Sequence, residues 1–325
     1  MPPDPAYVAY RASAAVARAL PSSVADATAP ALGGAAPQAM GDRRVLVERN
    51  LQRAHGRALT DRELRRSVRA TFTSYARYWA ESFRLPDVGL AALDDGMDVE
   101  GYEHLERALR GGTGTLMALP HLGGWEWAAF WLTQVMRIPV TAVVEPLEPP
   151  ELFDWFVEYR ESLGMEIVPL GPSAGTAVSK AVKRGDIIAL LCDRDIQGGG
   201  PEVEFFGERT TLPGGPATLA LRTGAPILPT AIYFDGDRHL ARVLPALDTA
   251  RRGKLREDVA RITQDLAHAL EVLISAAPEQ WHLMSPNWPS DPGWTVPSPS
   301  AAPTQGSSPS AAPTQGQDGP GIATT

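Results

Sequence analysis

Cysteine is almost missing from this sequence. Cys192 is the single one in 325 residues, so no internal disulfide can form and the fold must rest on its core, a pattern that fits a cytosolic chain. Positive charge is also short: 30 Lys and Arg against 38 Asp and Glu give a net charge of −8. That balance excludes a chain that binds nucleic acid through its overall composition. No stretch reaches the ~18–20 consecutive apolar residues that a membrane-spanning helix needs. The N-terminus lacks a basic start followed by a clean apolar block, so a signal peptide is not expected. A Gly-x-Ser-x-Gly elbow is absent, which disfavours a serine hydrolase. No group of His, Cys and acids has metal-ligand spacing, so no metal is expected.

What is present is apolar and punctuated. Apolar residues make up 44% of the chain, enough for one large α/β domain or two smaller ones. Runs at 116–119, 139–144, 165–170, 186–192 and 225–234 read as buried strands, with 239–247 as a hairpin partner of the last. Residues 97–110 pass through Val99 and Glu100-Gly101 into a helix, and further helical patterns lie between the strands from about 124 and at 150–163, 173–184, 217–222 and 255–276. This alternation predicts an α/β fold with a mostly parallel central sheet flanked by helices.

Before that core, residues 1–86 read as helices. Residues 6–20 place Tyr7, Tyr10, Ala14 and Ala17 near one face and Arg11 and Arg18 on another; such a helix packs on the domain or lies at a membrane interface. Residues 41–56 form a basic amphipathic helix carrying Arg43, Arg44, Arg49 and Arg53. Thr60 and Glu63 form a capping box for a third helix, whose stripe runs from Leu64 to Phe83 before Pro86 closes it. The arginines on these helices suit a solvated face or anionic lipid head groups. The domain is expected over 1–290, with its α/β core at 97–290. From 291 to 325 the composition turns to a repeated Ser/Pro/Ala/Gln/Gly pattern, which predicts a disordered tail.

The stretch from Leu116 to Phe130 carries the clearest chemistry. A buried strand reaches Pro120, delivers His121 at its C-terminal end, turns at Gly123 and Gly124, and starts a helix with Glu126 in its first turn. Open α/β sheets build their sites at that end of the strands. Glu126 is expected to hold one ring nitrogen of His121 and leave the other free to take a proton from a hydroxyl. The bland alternative is a structural histidine beside a glycine turn. Asp193-Arg194-Asp195 closes the strand 186–192, and three charges there suit a site or a structural ion pair. Glycines and Pro201 mark 198–208 as a mobile loop anchored by Val203, Phe205 and Phe206. Leu212-Pro-Gly-Gly-Pro216 suits close backbone approach to a ligand or plain turn geometry.

His121-Leu-Gly-Gly-Trp-Glu126 resembles the His-x4-Asp/Glu motif of the lysophospholipid acyltransferase superfamily. Arg77–Pro86, Tyr159–Gly164, Asp193–Asp195, Val203–Glu208 and Gly215–Ala217 are similar to segments of the actinobacterial phosphatidylinositol mannoside acyltransferases, with the late acyltransferases of lipid A synthesis as more distant relatives. The resemblance covers roughly residues 5–290. It implies transfer of an acyl group, typically palmitoyl, from acyl-CoA as co-substrate to the 6-hydroxyl of the inositol-linked 2-mannose. The partners implied are acyl-CoA, a phosphatidylinositol mannoside or similar glycolipid, and an anionic membrane surface at the cytosolic face of the plasma membrane. His121 and Glu126 are then the catalytic pair, and Glu145, Arg160, Asp193, Arg194 and Asp195 contact substrate. The family carries Asp where this chain has Glu126, and Asp193 is shorter than a glutamate would be. Lys180, Lys183, Arg184 and Arg194 are candidates to meet CoA phosphates. Trp127, Phe130, Trp131, Phe205 and Phe206 are available to wall an acyl channel, and Arg160 or backbone N–H groups of the glycine turn to receive the oxyanion. The competing readings are a glycolipid acyltransferase of lipid A type fed by acyl carrier protein, and a non-catalytic lipid-binding protein on the same fold.

Overall fold

The computed structural model of the chain describes residues 4–20 and 33–296. The repeated tail beyond 296, and part of the loop or helix expected over 22–40, lie outside the described residues.

Seven strands form one sheet in the order β1-β9-β8-β2-β5-β3-β4. They are β1 (Met97–Glu100), β2 (Thr115–Leu119), β3 (Val140–Val144), β4 (Met165–Pro169), β5 (Ile187–Leu191), β8 (Ile227–Asp235) and β9 (Arg238–Val243). The pairs from β8 through β4 are parallel, whereas β8 and β9 pair antiparallel. The sheet is covered on both faces. In β2, Leu116 and Ala118 enter one core cluster and Met117 and Leu119 the other, the period-two alternation of a strand that meets apolar neighbours on each side. One face is packed by α8 (Ala174–Arg184), α9 (Gly215–Thr223) and α10 (Leu255–Ser275). The other is packed by α4 (Leu90–Asp95), α5 (Tyr102–Arg110) and α6 (Trp125–Gln134).

Helices α1 (Pro5–Ala19), α2 (Gly41–His55) and α3 (Asp61–Arg84) complete the fold, and the described part of the loop or helix expected over 22–40 is helical at 33–39. The capping box at Thr60 and Glu63 is present. The Tyr7, Tyr10, Ala14 and Ala17 face of α1 packs against Phe83 of α3 and against Leu152 and Phe156 of α7 (Pro150–Ser162). That face is therefore used inside the protein, while Val8 and Val16 remain exposed.

Residues 97–100, which lead into the helix expected before Gly111, form edge strand β1. One expectation changes. The expected mobile loop at 198–208 is mostly a hairpin, β6 (Glu202–Phe205) and β7 (Glu208–Thr211). Phe205 holds it down, fully buried and stacked on Trp288 at 5.6 Å. Glycine content suggested mobility, but an aromatic pair distant in sequence supplies the anchor.

Candidate active site

The register between β2 and β5 builds the centre of the site. Leu119 pairs with Leu191, and the backbone N–H of Cys192 donates to the Leu119 carbonyl at 2.8 Å. Two residues further along each strand, His121 stands beside Asp193. The ring Nδ1 lies 2.6 Å from Asp193 Oδ1, and the His121 backbone N–H donates to Oδ2 at 3.0 Å. Gly123 then turns the chain away at φ +58°, where a Cβ would sit 1.9 Å from the Ile232 carbonyl oxygen. Only glycine tolerates both the left-handed backbone and that approach.

Asp193 is fully buried. Burial alone would raise its pKa, but the facing imidazole and the donors around it bring the carboxyl below its usual range. For His121, burial works against the charged ring, yet Asp193, helped by Glu145, outweighs it and raises the pKa. An ionised Asp193 accepts from Nδ1–H, so Nε2 carries the lone pair. The ring is 33% exposed and lines a groove of about 1810 Å³, and among the described residues no hydrogen bond reaches Nε2.

Glu126 is not the partner of His121. It begins α6 and turns toward α3 and α7, where its Oε1 accepts from the Tyr78 hydroxyl at 2.8 Å and from Arg160 at 3.1 Å. Its Oε2 is buried with no partner, as is Arg160 Nε. Burial raises the Glu126 pKa, with Arg160 and Tyr78 opposing it. The motif's spacing allowed a contact with His121, but the neighbouring strand places a closer carboxylate.

The other expected residues separate. Glu145 and Arg194 face each other at 4.0 Å and both line the groove. Asp193, expected at the substrate, sits beneath the imidazole instead. The carboxylate of Asp195 receives the N–H groups of Gly198 and Gly200, each at 3.0 Å, and so shapes the loop. The Gly123 N–H is spent on the Gln280 carbonyl at 3.0 Å and does not point to an oxyanion.

Of the four cations expected at a phosphorylated head, Arg194 alone lines the groove, joined there by Arg222 and Arg256. Arg184 instead pairs with Glu166 and Asp186, next to the N-terminal ends of β4 and β5 and far from His121. None of the five aromatic residues expected on an acyl channel lines the groove. Trp127 stacks on His239 and Trp131 donates to Asp94, both in the core. Aliphatic residues such as Leu119, Val144, Leu152, Val178 and Leu190 supply the apolar wall, with Phe156 and Trp125.

Sequence reasoning passed over Tyr78, Trp281, His282 and Asn287. Trp281 Nε1 donates to Asp193 Oδ2 at 2.7 Å, and Asn287 Nδ2 donates to the Asp193 carbonyl at 3.0 Å. The His282 ring meets Ser74 Oγ at 2.9 Å, and burial together with nearby His121 lowers its pKa to about 3. The one signal for Trp281, His282 and Asn287 was a run of Trp, His and Asn between prolines after the last helix, and Tyr78 lay within the segment Arg77–Pro86.

A hydroxyl entering this groove meets an imidazole backed by a buried carboxylate, beside apolar walls. Those are the requirements of an enzyme that moves acyl groups onto alcohols. The chain belongs to the bacterial lipid A biosynthesis acyltransferase family, whose model matches residues 5–290, and is an acyltransferase. Among curated proteins it is similar to the phosphatidylinositol mannoside acyltransferase of Mycolicibacterium smegmatis, 39% identical over 287 residues that cover 87% of this chain and 91% of that one. It is also similar to the protein of the same name from Mycobacterium tuberculosis, 41% identical over 227 residues, 68% of this chain and 70% of that one.

Proposed function

We propose that the enzyme transfers a long acyl group, palmitoyl by resemblance, from acyl-CoA to the 6-hydroxyl of a mannose in a phosphatidylinositol mannoside. The observation that carries the reading is the His121–Asp193 pair at 2.6 Å on the wall of a groove of about 1810 Å³. In this reading Nε2 of His121 takes the hydroxyl proton as the oxygen attacks the thioester carbonyl. The tetrahedral intermediate collapses, the thiolate leaves, and the proton passes to it, giving the ester and free CoA. Asp193 holds the ring in its Nδ1–H form and balances the imidazolium charge. Glu126 keeps Arg160 and Tyr78 in place on the groove wall and does not touch the base.

Three further observations support the substrates. The groove exceeds the roughly 300–1,000 Å³ that suits a drug-sized ligand, as two lipid substrates require. Arg194, Arg222 and Arg256 on its lining are suitable partners for a phosphorylated donor. The acceptor follows the names of the two relatives. Such an acceptor is lipid-anchored, and no helix among the described residues is long and apolar enough to cross a membrane. By the same resemblance, the place of action proposed is an anionic bilayer surface, on its cytosolic face.

The test is mass spectrometry of products from purified enzyme, palmitoyl-CoA and a mannoside acceptor. A palmitoyl ester on the 6-hydroxyl, absent with a 6-deoxy acceptor and absent with His121→Ala, is the expected result. Turnover by His121→Ala above about 1% of wild type, within the 100-fold or more that a general base contributes, would remove His121 as the base. Transfer from acyl carrier protein but not from CoA would reassign the donor.

A further inference from the structure

The carboxylate of Asp193 receives three hydrogen bonds, and two of them come from His121 itself. The third comes from the indole N–H of Trp281, at 2.7 Å on Oδ2. Trp281 is 3% exposed and packed against Phe205, Phe206 and Trp288, with ring centroids 5.6–6.3 Å away. Its N–H therefore has a fixed direction. The same short segment also grips the turn that carries the base. Gln280 accepts the Gly123 N–H at 3.0 Å, Trp281 bridges to Leu122, and the His282 N–H donates to the His121 carbonyl at 2.7 Å.

We propose that Trp281 is a positioning residue for acyl transfer, its indole N–H setting the orientation and basicity of Asp193 and so the pH at which His121 becomes a base. The proposal rests on His121 acting as the base. A carboxylate with three donors spreads its charge over all of them. Remove the neutral one and the remaining negative charge attracts the imidazolium proton more strongly, so the pair takes up its proton at a higher pH. Indole suits this task because it is a donor only and does not titrate. The other groups facing the pair are Glu145 after β3, Arg194 and Cys192 around the end of β5, and His282 after Trp281. All of them remain when the indole nitrogen is removed.

Trp281→Phe keeps an aromatic ring in the pocket and deletes the donor. The His121 ring, labelled with ¹⁵N and assigned by its loss in His121→Gln, is titrated by NMR in both proteins. Its midpoint is expected to rise on the order of one pH unit in Trp281→Phe. In parallel kcat near neutral pH falls roughly 10-fold, as one unit dictates, KM stays level, and activity returns as pH rises. If Trp281→Phe does not fold, site-specific β-(3-benzothienyl)alanine at position 281 supplies the same bicyclic shape without the N–H, with the same rise expected. An unchanged His121 midpoint overturns the proposal, as does a fall in kcat by the same factor at every pH. Should His121→Gln retain turnover, the base reading fails while the NMR shift still reports whether Trp281 tunes the pair.

Discussion

Two carboxylates compete for the role of partner to His121, and their environments separate their tasks. Asp193 is held ionised under the ring, whereas Glu126 is buried against Arg160 and Tyr78. Asp193→Asn offers the ring an amide in place of a charge and disturbs its tautomer. We expect kcat/KM to fall by at least about 100-fold with near-normal denaturant unfolding. Glu126→Ala leaves Arg160 charged, 14% exposed and unpaired, and should cost about 3–5 kcal/mol of stability. Equal stability losses in the two variants would refute this division. The raised pKa of His121 also sets a pH dependence. The neutral ring is the base, so kcat/KM should drop as pH falls through a value above the ordinary ~6.5. For stability the sign is reversed. The pairing favours the charged ring, so its contribution is complete below about pH 6.5 and fades as pH rises through the raised value. An acid limb below pH 6.5 in a kcat/KM profile would contradict the assignment.

At the scale of elements, α2 is tied into the fold by two of its own basic residues, Arg49 and Arg53. Arg53 is 6% exposed on its side chain, lies 4.0 Å over the ring of Trp288, and pairs with Glu208 and the buried Asp291. Arg49 also reaches Asp291. Arg44 pairs only with Glu48, one turn away and in solvent. Arg53→Ala should therefore cost about 3–5 kcal/mol, the cost of stranding a buried charge, while Arg44→Ala costs about 0.3–0.5 kcal/mol. Chemical denaturation measures both, and similar values would show that the Arg53 network adds nothing. Asp291 also receives the N–H groups of Asn287 and Trp288, so the folded unit extends past residue 290. A chain ended at Ser290 should lose thermal stability that a chain ended at Val296 retains.

At the scale of the molecule, a net charge of −8 opposes an anionic bilayer, so the proposed docking requires a local surface. Arg43 lines the groove and Arg44 is half exposed. Val8 and Val16 of α1 and Val45 of α2 are exposed apolar side chains on the N-terminal helices. Each basic side chain near such a surface contributes about 1 kcal/mol. The double variant Arg43→Gln, Arg44→Gln should weaken binding to anionic liposomes by an order of magnitude or more. Salt should weaken the wild type as the screening length shrinks from about 8 Å toward 3 Å. Sedimentation that is equal for both proteins at every salt concentration would place the docking surface elsewhere.

Much was legible along the chain because it depends on neighbours in sequence. The alternation of apolar runs and helical stripes determined a mostly parallel covered sheet. Thr60 and Glu63 determined where α3 begins. Pro120, His121 and Gly123 determined a histidine at a strand end, since a buried strand can deliver a polar residue only where it leaves the core. The partner of that histidine was decided by tertiary structure. Register between β2 and β5 sets Asp193 against His121, and the closure of the chain brings Trp281 to its carboxylate and Asn287 to its backbone carbonyl from about ninety residues away. Sequence spacing made Glu126 the obvious neighbour, but helix direction swings it to Tyr78 and Arg160. The groove wall followed the same logic: Trp127, Phe130 and Trp131 of α6, available for a channel but most simply read as core residues of a helix packed on the sheet, went to the core, and aliphatic residues line the groove. Local order follows from steric preference and periodicity within a few residues, whereas which side chains meet across strands depends on register and packing that no single segment encodes.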